Sequence, residues 1–145
     1  MEENKSIIFG PVPSRRLGHS LGVNNIPPKV CTYSCVYCQL GRAVKMKVKR
    51  QSFYRKEYIL SAVQSKIKEA KKSREKIDYL TFVPDGEPTL DINLGMEIDL
   101  LRQFGIPIAV ITNNSYFFTL VNSEANFIYS YNFLFGINWI LIKFR

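Results

Sequence analysis

Cysteine and histidine are the scarce residues of this sequence: three of the first and one of the second in 145 residues. All three cysteines fall between Cys31 and Cys38, and an odd, clustered set is a poor disulfide framework. The single histidine, His19, lies twelve residues before Cys31, so a closed zinc site would want for its fourth ligand. Long apolar runs are missing too. The longest candidate, Phe127–Ile142, has sixteen residues broken by Asn132 and Asn138, whereas a membrane span needs about twenty, so no membrane is expected. The start, MEENKSIIFGPVPSRRLG, lacks the basic opening and unbroken apolar stretch of a secretory leader, which makes the reducing cytoplasm the expected compartment.

Acidic residues are also few. Twelve Asp and Glu stand against twenty Lys and Arg, for a net charge of +8. Thirteen of those bases lie between Arg42 and Lys76, with only Glu57, Glu69 and Glu75 among them. Such a block attracts phosphates, and it is equally what a solvated helix face looks like.

What the chain does have is core material. Ten Phe, eight Tyr and many aliphatic residues exclude low-complexity disorder, and the length suits one globular domain. Residues 6–20, with Gly10, Pro11, Pro13 and Gly18, read as an irregular lead-in. His19–Ile26 reads as a first strand, stopped by Pro27-Pro28. From about Phe53 to Lys76, Ile59, Val63, Ile67 and Ala70 recur on one helical face. Ile77–Val83 is a second strand, closed by the turn Pro84-Asp85-Gly86. Leu94, Ile98, Leu101 and Phe104 mark a second helix, ending at Gly105, and Ile106–Thr112 a third strand. Helices alternating with apolar strands indicate an α/β fold of about three parallel βα units. In such folds chemistry gathers where strands end, and the cysteine loop, Asp85-Gly86-Glu87 and Asn113 each follow a predicted strand.

The cysteines read Cys31-Thr-Tyr-Ser-Cys35-Val-Tyr-Cys38, spaced C-x3-C-x2-C. Thiolates are the usual ligands of iron–sulfur clusters, and a four-iron cube normally takes four. Three leave one iron open to a substrate, as catalytic metal sites require. Zinc and three ordinary thiols are the alternative readings.

This spacing, with Tyr37 as the aromatic before the last cysteine, resembles the radical S-adenosylmethionine (SAM) superfamily. GPVPSRRLGHSLGVN, CQLGR, FVPDGEPTLD and VITN resemble one branch of it, the wyosine-synthase-like iron–sulfur oxidoreductases, over roughly residues 8–114. The resemblance implies a partial (β/α) barrel in which Cys31, Cys35 and Cys38 hold a [4Fe–4S] cluster and SAM chelates the open iron. Reductive cleavage of SAM would then give a radical that abstracts hydrogen from a substrate. It further implies that Asp85-Gly86-Glu87 holds the methionyl amine of SAM, and that Asn113 and Tyr37 belong to the same cofactor pocket. An electron donor is required, and tRNA or a partner protein is the implied substrate.

Other residues carry less. Gly41 allows close approach to a cluster, Arg15 and Arg16 suit an anionic substrate or the surface, and His19 reads as structural. After Asn114 the character changes to an aromatic-rich tail, residues 115–145, whose only charges are Glu124, Lys143 and Arg145. With residues 1–114 as the front half of a radical SAM domain, the tail reads as the product of truncation or a frameshift, and the catalytic domain as incomplete. A metal- or nucleic-acid-binding module without catalysis, or an inactive fragment, is the competing reading.

Overall fold

The computed structural model describes residues 7–36, 38, 41–113 and 115–116, together with the backbone of 127–130 and 140–144. Its strands are β1 (Ile8–Ser14), β2 (Gly18–Val23), β3 (Val30–Cys31), β4 (Lys45–Met46), β5 (Tyr79–Phe82), β6 (Ile108–Thr112), β7 (Phe127–Ser130) and β8 (Ile140–Phe144). Its helices are α1 (Lys56–Lys72) and α2 (Leu94–Leu101), with 3-10 turns at Pro88–Leu90 and Arg102–Phe104. Six strands form one sheet in the order β1-β2-β5-β6-β8-β7, while β3 and β4 pair separately. Among the described residues, no helix is long and apolar enough to cross a membrane.

The centre of the sheet is parallel: β2 runs with β5, and β5 with β6. These are the three strands read from the sequence: β2 starts one residue earlier and stops at Val23, β5 is trimmed at both ends, and β6 starts at Ile108 and ends at Thr112 as read. Alternation along them sends Leu21, Val23, Leu80, Phe82, Ile108 and Val110 to one face, where they pack against Ile59, Val63 and Ile67 of α1 and Leu94, Ile98 and Leu101 of α2. The apolar stripe read in α1 is therefore its buried stripe, and Ala70 is buried with it. Glu57 in the first turn and Lys71 and Lys72 in the last suit the helix dipole. The turn after α2 ends at Gly105, whose φ of 65° is the left-handed conformation that glycine adopts without a Cβ penalty.

One expectation is corrected. The lead-in is not irregular: Ile8–Ser14 is a strand, antiparallel to β2, with its register interrupted between Phe9 and Val12. Pro11 and Pro13 are tolerated there because the strand is at the edge, where a missing N–H costs no ladder bond. Residues 115–145 contribute two further strands. β8 pairs antiparallel with β6 along its whole length, and β7 pairs with β8. An open β6 edge would present a row of unpaired backbone groups, and β8 fills it. The parallel βα core is present, and it sits in an extended mixed sheet.

One buried feature lies behind the core. Glu97 of α2 is 1% exposed and Asp91 is fully buried. Neither Glu97 oxygen has a hydrogen-bond partner among the described residues. Burial, reinforced by the charge of Asp91, pushes Glu97 up to about 8, with the Asn25 amide opposing it in part. Because the folded state binds this proton more tightly than the unfolded chain, its contribution to stability is present at low pH. That contribution is lost as pH rises from the ordinary carboxylate range through about 8. The melting temperature should therefore fall between pH 5 and pH 8. Glu97→Gln should flatten that fall and gain about 1–3 kcal/mol at the upper end, the cost of an unsatisfied buried group. Parallel slopes for the two proteins would contradict this assignment.

Candidate metal centre

The site is built where β2, β5 and β6 end. Beyond β2, the chain turns through residues 24–29 into β3, which delivers Cys31. Two main-chain contacts hold this strand to the turn after β5: Lys29 N donates to Asp85 O at 2.5 Å, and Glu87 N donates to Val30 O at 3.2 Å. Gly86 makes the approach possible. A Cβ there would stand 1.9 Å from the Val30 carbonyl oxygen and 3.0 Å from Ile26 Cδ1. The glycine read from sequence as part of a ligand-binding turn is thus required by the packing of the cysteine strand.

Glu87 is the centre of the arrangement. It is fully buried, and both carboxylate oxygens are occupied. Oε1 accepts from Thr89 N at 3.1 Å, Thr89 Oγ1 at 2.5 Å and Thr112 Oγ1 at 2.5 Å. Oε2 accepts from Asn113 N at 2.7 Å. Burial pushes its pKa up, and these hydrogen bonds pull it back. One carboxylate therefore fastens the end of β6 to the Pro88–Leu90 turn. Glu87 caps that turn, with proline at its first position.

Asn113, next after β6, donates from Nδ2 to Cys31 Sγ at 3.7 Å and to Thr32 Oγ1 at 2.9 Å. Burial pushes the Cys31 thiol up. The N–H groups of Tyr33 and Thr32 pull it down, and the charge of Glu87 pushes it up again. The other two cysteines follow on the same loop. Cys38 N donates to Cys35 O at 3.1 Å and Gly41 N to Cys38 O at 3.0 Å, a pair of turns that bends the segment back. Gly41 has a φ of 78°.

All three cysteines are free and partly exposed. Among the described residues, no three His, Cys, Asp or Glu side chains gather around the position of a single metal ion. A cube of several irons asks for something else: soft thiolates standing apart around it, carried on a segment that can wrap. By the chemistry of its donors, this loop fits such a cluster.

Of the residues read from sequence, Cys31, Asp85, Gly86, Glu87 and Asn113 come together. Tyr37 lies outside the described residues. His19, with Nδ1 3.4 Å from Asp78 Oδ2, and the exposed Arg15 and Arg16 sit at the other end of β2. Thr89, Thr112, Thr32 and Ser115 were not singled out, though Glu-Pro-Thr after a strand is a legible capping signal.

The chain matches the model of the radical SAM superfamily over residues 25–123, which includes all three cysteines, the Asp85–Glu87 turn and Asn113. This chain belongs to the radical SAM superfamily. The match runs past Asn114, where the sequence resemblance was expected to stop. Members of this superfamily generally use a [4Fe–4S] cluster and SAM. A UPF0026 protein of Methanocaldococcus jannaschii is 60% identical over 110 residues, 76% of this chain and 34% of the relative. A protein named GTPase Obg of Brachyspira hyodysenteriae is 43% identical over 109 residues, 74% of this chain and 15% of that one. A UPF0026 protein of Helicobacter pylori is 37% identical over 120 residues, 81% of this chain and 38% of the relative. The chain thus spans about a third of the length of its UPF0026 relatives. No solved structure matches it.

The contacts of Gly86 and Glu87 make a direct prediction. Gly86→Ala should cost about 1–3 kcal/mol by overpacking against β3. Glu87→Gln should cost a similar amount by turning an amide N–H toward donors. Urea unfolding measures both, and wild-type midpoints in the two variants would rule out the described packing.

Proposed function

We propose that this chain carries the cluster-binding part of a radical SAM enzyme of the wyosine-synthase-like branch. Cys31, Cys35 and Cys38 hold a [4Fe–4S] cluster, and SAM occupies the open iron position. The observation that supports the reading is three free thiols on one loop, the first of which, Cys31, is held at the ends of the parallel strands by the Glu87 main-chain N–H on Val30 and by Asn113. When bound, the cluster supplies the electron that splits SAM, and the resulting radical abstracts hydrogen from the substrate.

The chain's own residues bind and orient. The three sulfurs are the ligands. The turn Asp85-Gly86 lies beside the cysteine strand, with the Asp85 carbonyl already accepting from Lys29 N, and we assign its remaining acceptor groups to the ammonium of SAM. With both oxygens engaged, Glu87 holds this turn and the start of the Asn113 segment in place. Tyr37 and Asn113 complete the proposed cofactor pocket, and residues 1–114 form the front of a barrel whose remainder corresponds to the longer relatives. A reducing electron donor is the required partner.

Anaerobic reconstitution with iron and sulfide, followed by electron paramagnetic resonance of the reduced protein, tests this reading. A four-iron signal that changes on adding SAM is expected. No cluster, or one indifferent to SAM, would leave the inactive-fragment reading in its place.

A tRNA substrate is favoured by one feature. The run Arg42–Arg50 has five bases and no acid, and β4 within it pairs with β3 so that Met46 lies opposite Cys31. Arg42, Lys45 and Lys49 are exposed there. Retention on tRNA should weaken steeply with salt, and replacing Lys45 and Lys49 with Gln should reduce the slope of log K against log salt by about 2. Absent or salt-insensitive retention would turn the search toward a protein substrate.

A further inference from the structure

The side chain of Asn113 has only one possible orientation. Its Oδ1 accepts from the Ser115 main-chain N–H at 3.1 Å and from the Ser115 hydroxyl at 2.5 Å. A main-chain N–H can only donate, so the amide oxygen must face Ser115 and the amide nitrogen must face away. On that far side lie Cys31 Sγ at 3.7 Å and Thr32 Oγ1 at 2.9 Å. Thr32 Oγ1 is in turn 2.7 Å from Ser115 Oγ. The three residues close a ring. Asn113 donates to Thr32, Thr32 to Ser115, and Ser115 back to Asn113, so each hydroxyl donates once and accepts once.

The ring is held from outside as well. Glu87 Oε2 accepts the Asn113 main-chain N–H at 2.7 Å, which fixes the backbone from which the amide projects. The N–H groups of Tyr33 and Thr32 act in the same sense on the thiol, drawing its pKa down against burial. An N–H donated to a ligand sulfur favours the more negatively charged, reduced state of an iron–sulfur cluster and so raises its reduction potential.

We infer that Asn113 is a positioning residue for Cys31, whose amide N–H donates to the ligand sulfur and raises the reduction potential of the cluster held there. This rests on the proposed cluster reading, and it gives Asn113 a different task from contact with the nucleoside of SAM. Ser115 and Thr32 keep the amide turned toward the sulfur, and Glu87 keeps its backbone in register.

Two measurements on the full chain test it. In the metal-free protein, melting temperatures of Asn113→Ala, Cys31→Ala and the double variant form a cycle. A double variant that loses less than the sum of the two single losses is expected, and additive losses overturn the hydrogen bond. In the reconstituted protein, the cluster midpoint should move to lower potential in Asn113→Ala. It should move less, in the same direction, in Ser115→Ala, which removes the hydroxyl from the ring but keeps the main-chain N–H that orients the amide. Unchanged midpoints with the SAM-induced spectral change lost in Asn113→Ala would overturn the inference in favour of a nucleoside contact. A wild-type chain that takes up no cluster would overturn the proposed function and with it the potential-setting role. The metal-free cycle decides the hydrogen bond in either case.

Discussion

A single buried carboxylate holds the working end of this molecule together. Glu87 receives Thr89, Thr112 and Asn113 on its two oxygens, while its own main-chain N–H holds Val30, the residue before Cys31. The turn after β5, the end of β6 and the cysteine strand therefore meet at one residue. A buried carboxylate is costly unless its acceptors are filled, and here they are filled from separate segments. Satisfying the group and assembling the rim are the same event. The contrast with Glu97 is instructive, since that carboxylate is as deeply buried and has neither oxygen paired among the described residues.

Much of the core was legible because its signals are local. Ile59, Val63, Ile67 and Ala70 announce a helix face by spacing alone, and they are the buried residues of α1. The three parallel strands were legible as apolar runs, as strands covered on both faces should be. β1 was hidden by its composition. Pro11 and Pro13 argue against a strand unless the strand is known to be at an edge, and edge position is a property of the sheet. β7 and β8 were hidden for a related reason: their pairing is defined by what β6 leaves open, and no period in the tail records it.

The candidate site divides in the same way. The cysteines were found by spacing, and Asp85-Gly86-Glu87 and Asn113 by position after strands. What the letters did not disclose was the division of labour. The resemblance implied a ligand-holding turn at Asp85-Gly86-Glu87, and what the letters did not show is that the Glu87 oxygens accept from Thr89, Thr112 and Asn113. Gly86 is required by a carbonyl oxygen that belongs to a residue more than fifty positions earlier. Thr112 and Ser115 are ordinary strand-end residues until the partner across the sheet is known.

The basic run and the carboxylate centre are joined by a side chain described by neither. Arg50 closes the run Arg42–Arg50, and its guanidinium donates to the carbonyls of Thr89 and Asp91, each at 2.8 Å. Gln51 continues the attachment, bridging to Asp91 and receiving Ile92 N on its carbonyl. The positively charged ribbon is thereby anchored by its far end to the very turn that Glu87 caps. Its near end is laced to the cysteine strand through Lys47 N and Cys31 O. A polyanion seated on those lysines would bear on a strap fixed at both ends to the thiol loop's supports. Load applied at the surface would reach Cys31 through a main-chain bond and the Glu87 turn through the Arg50 guanidinium.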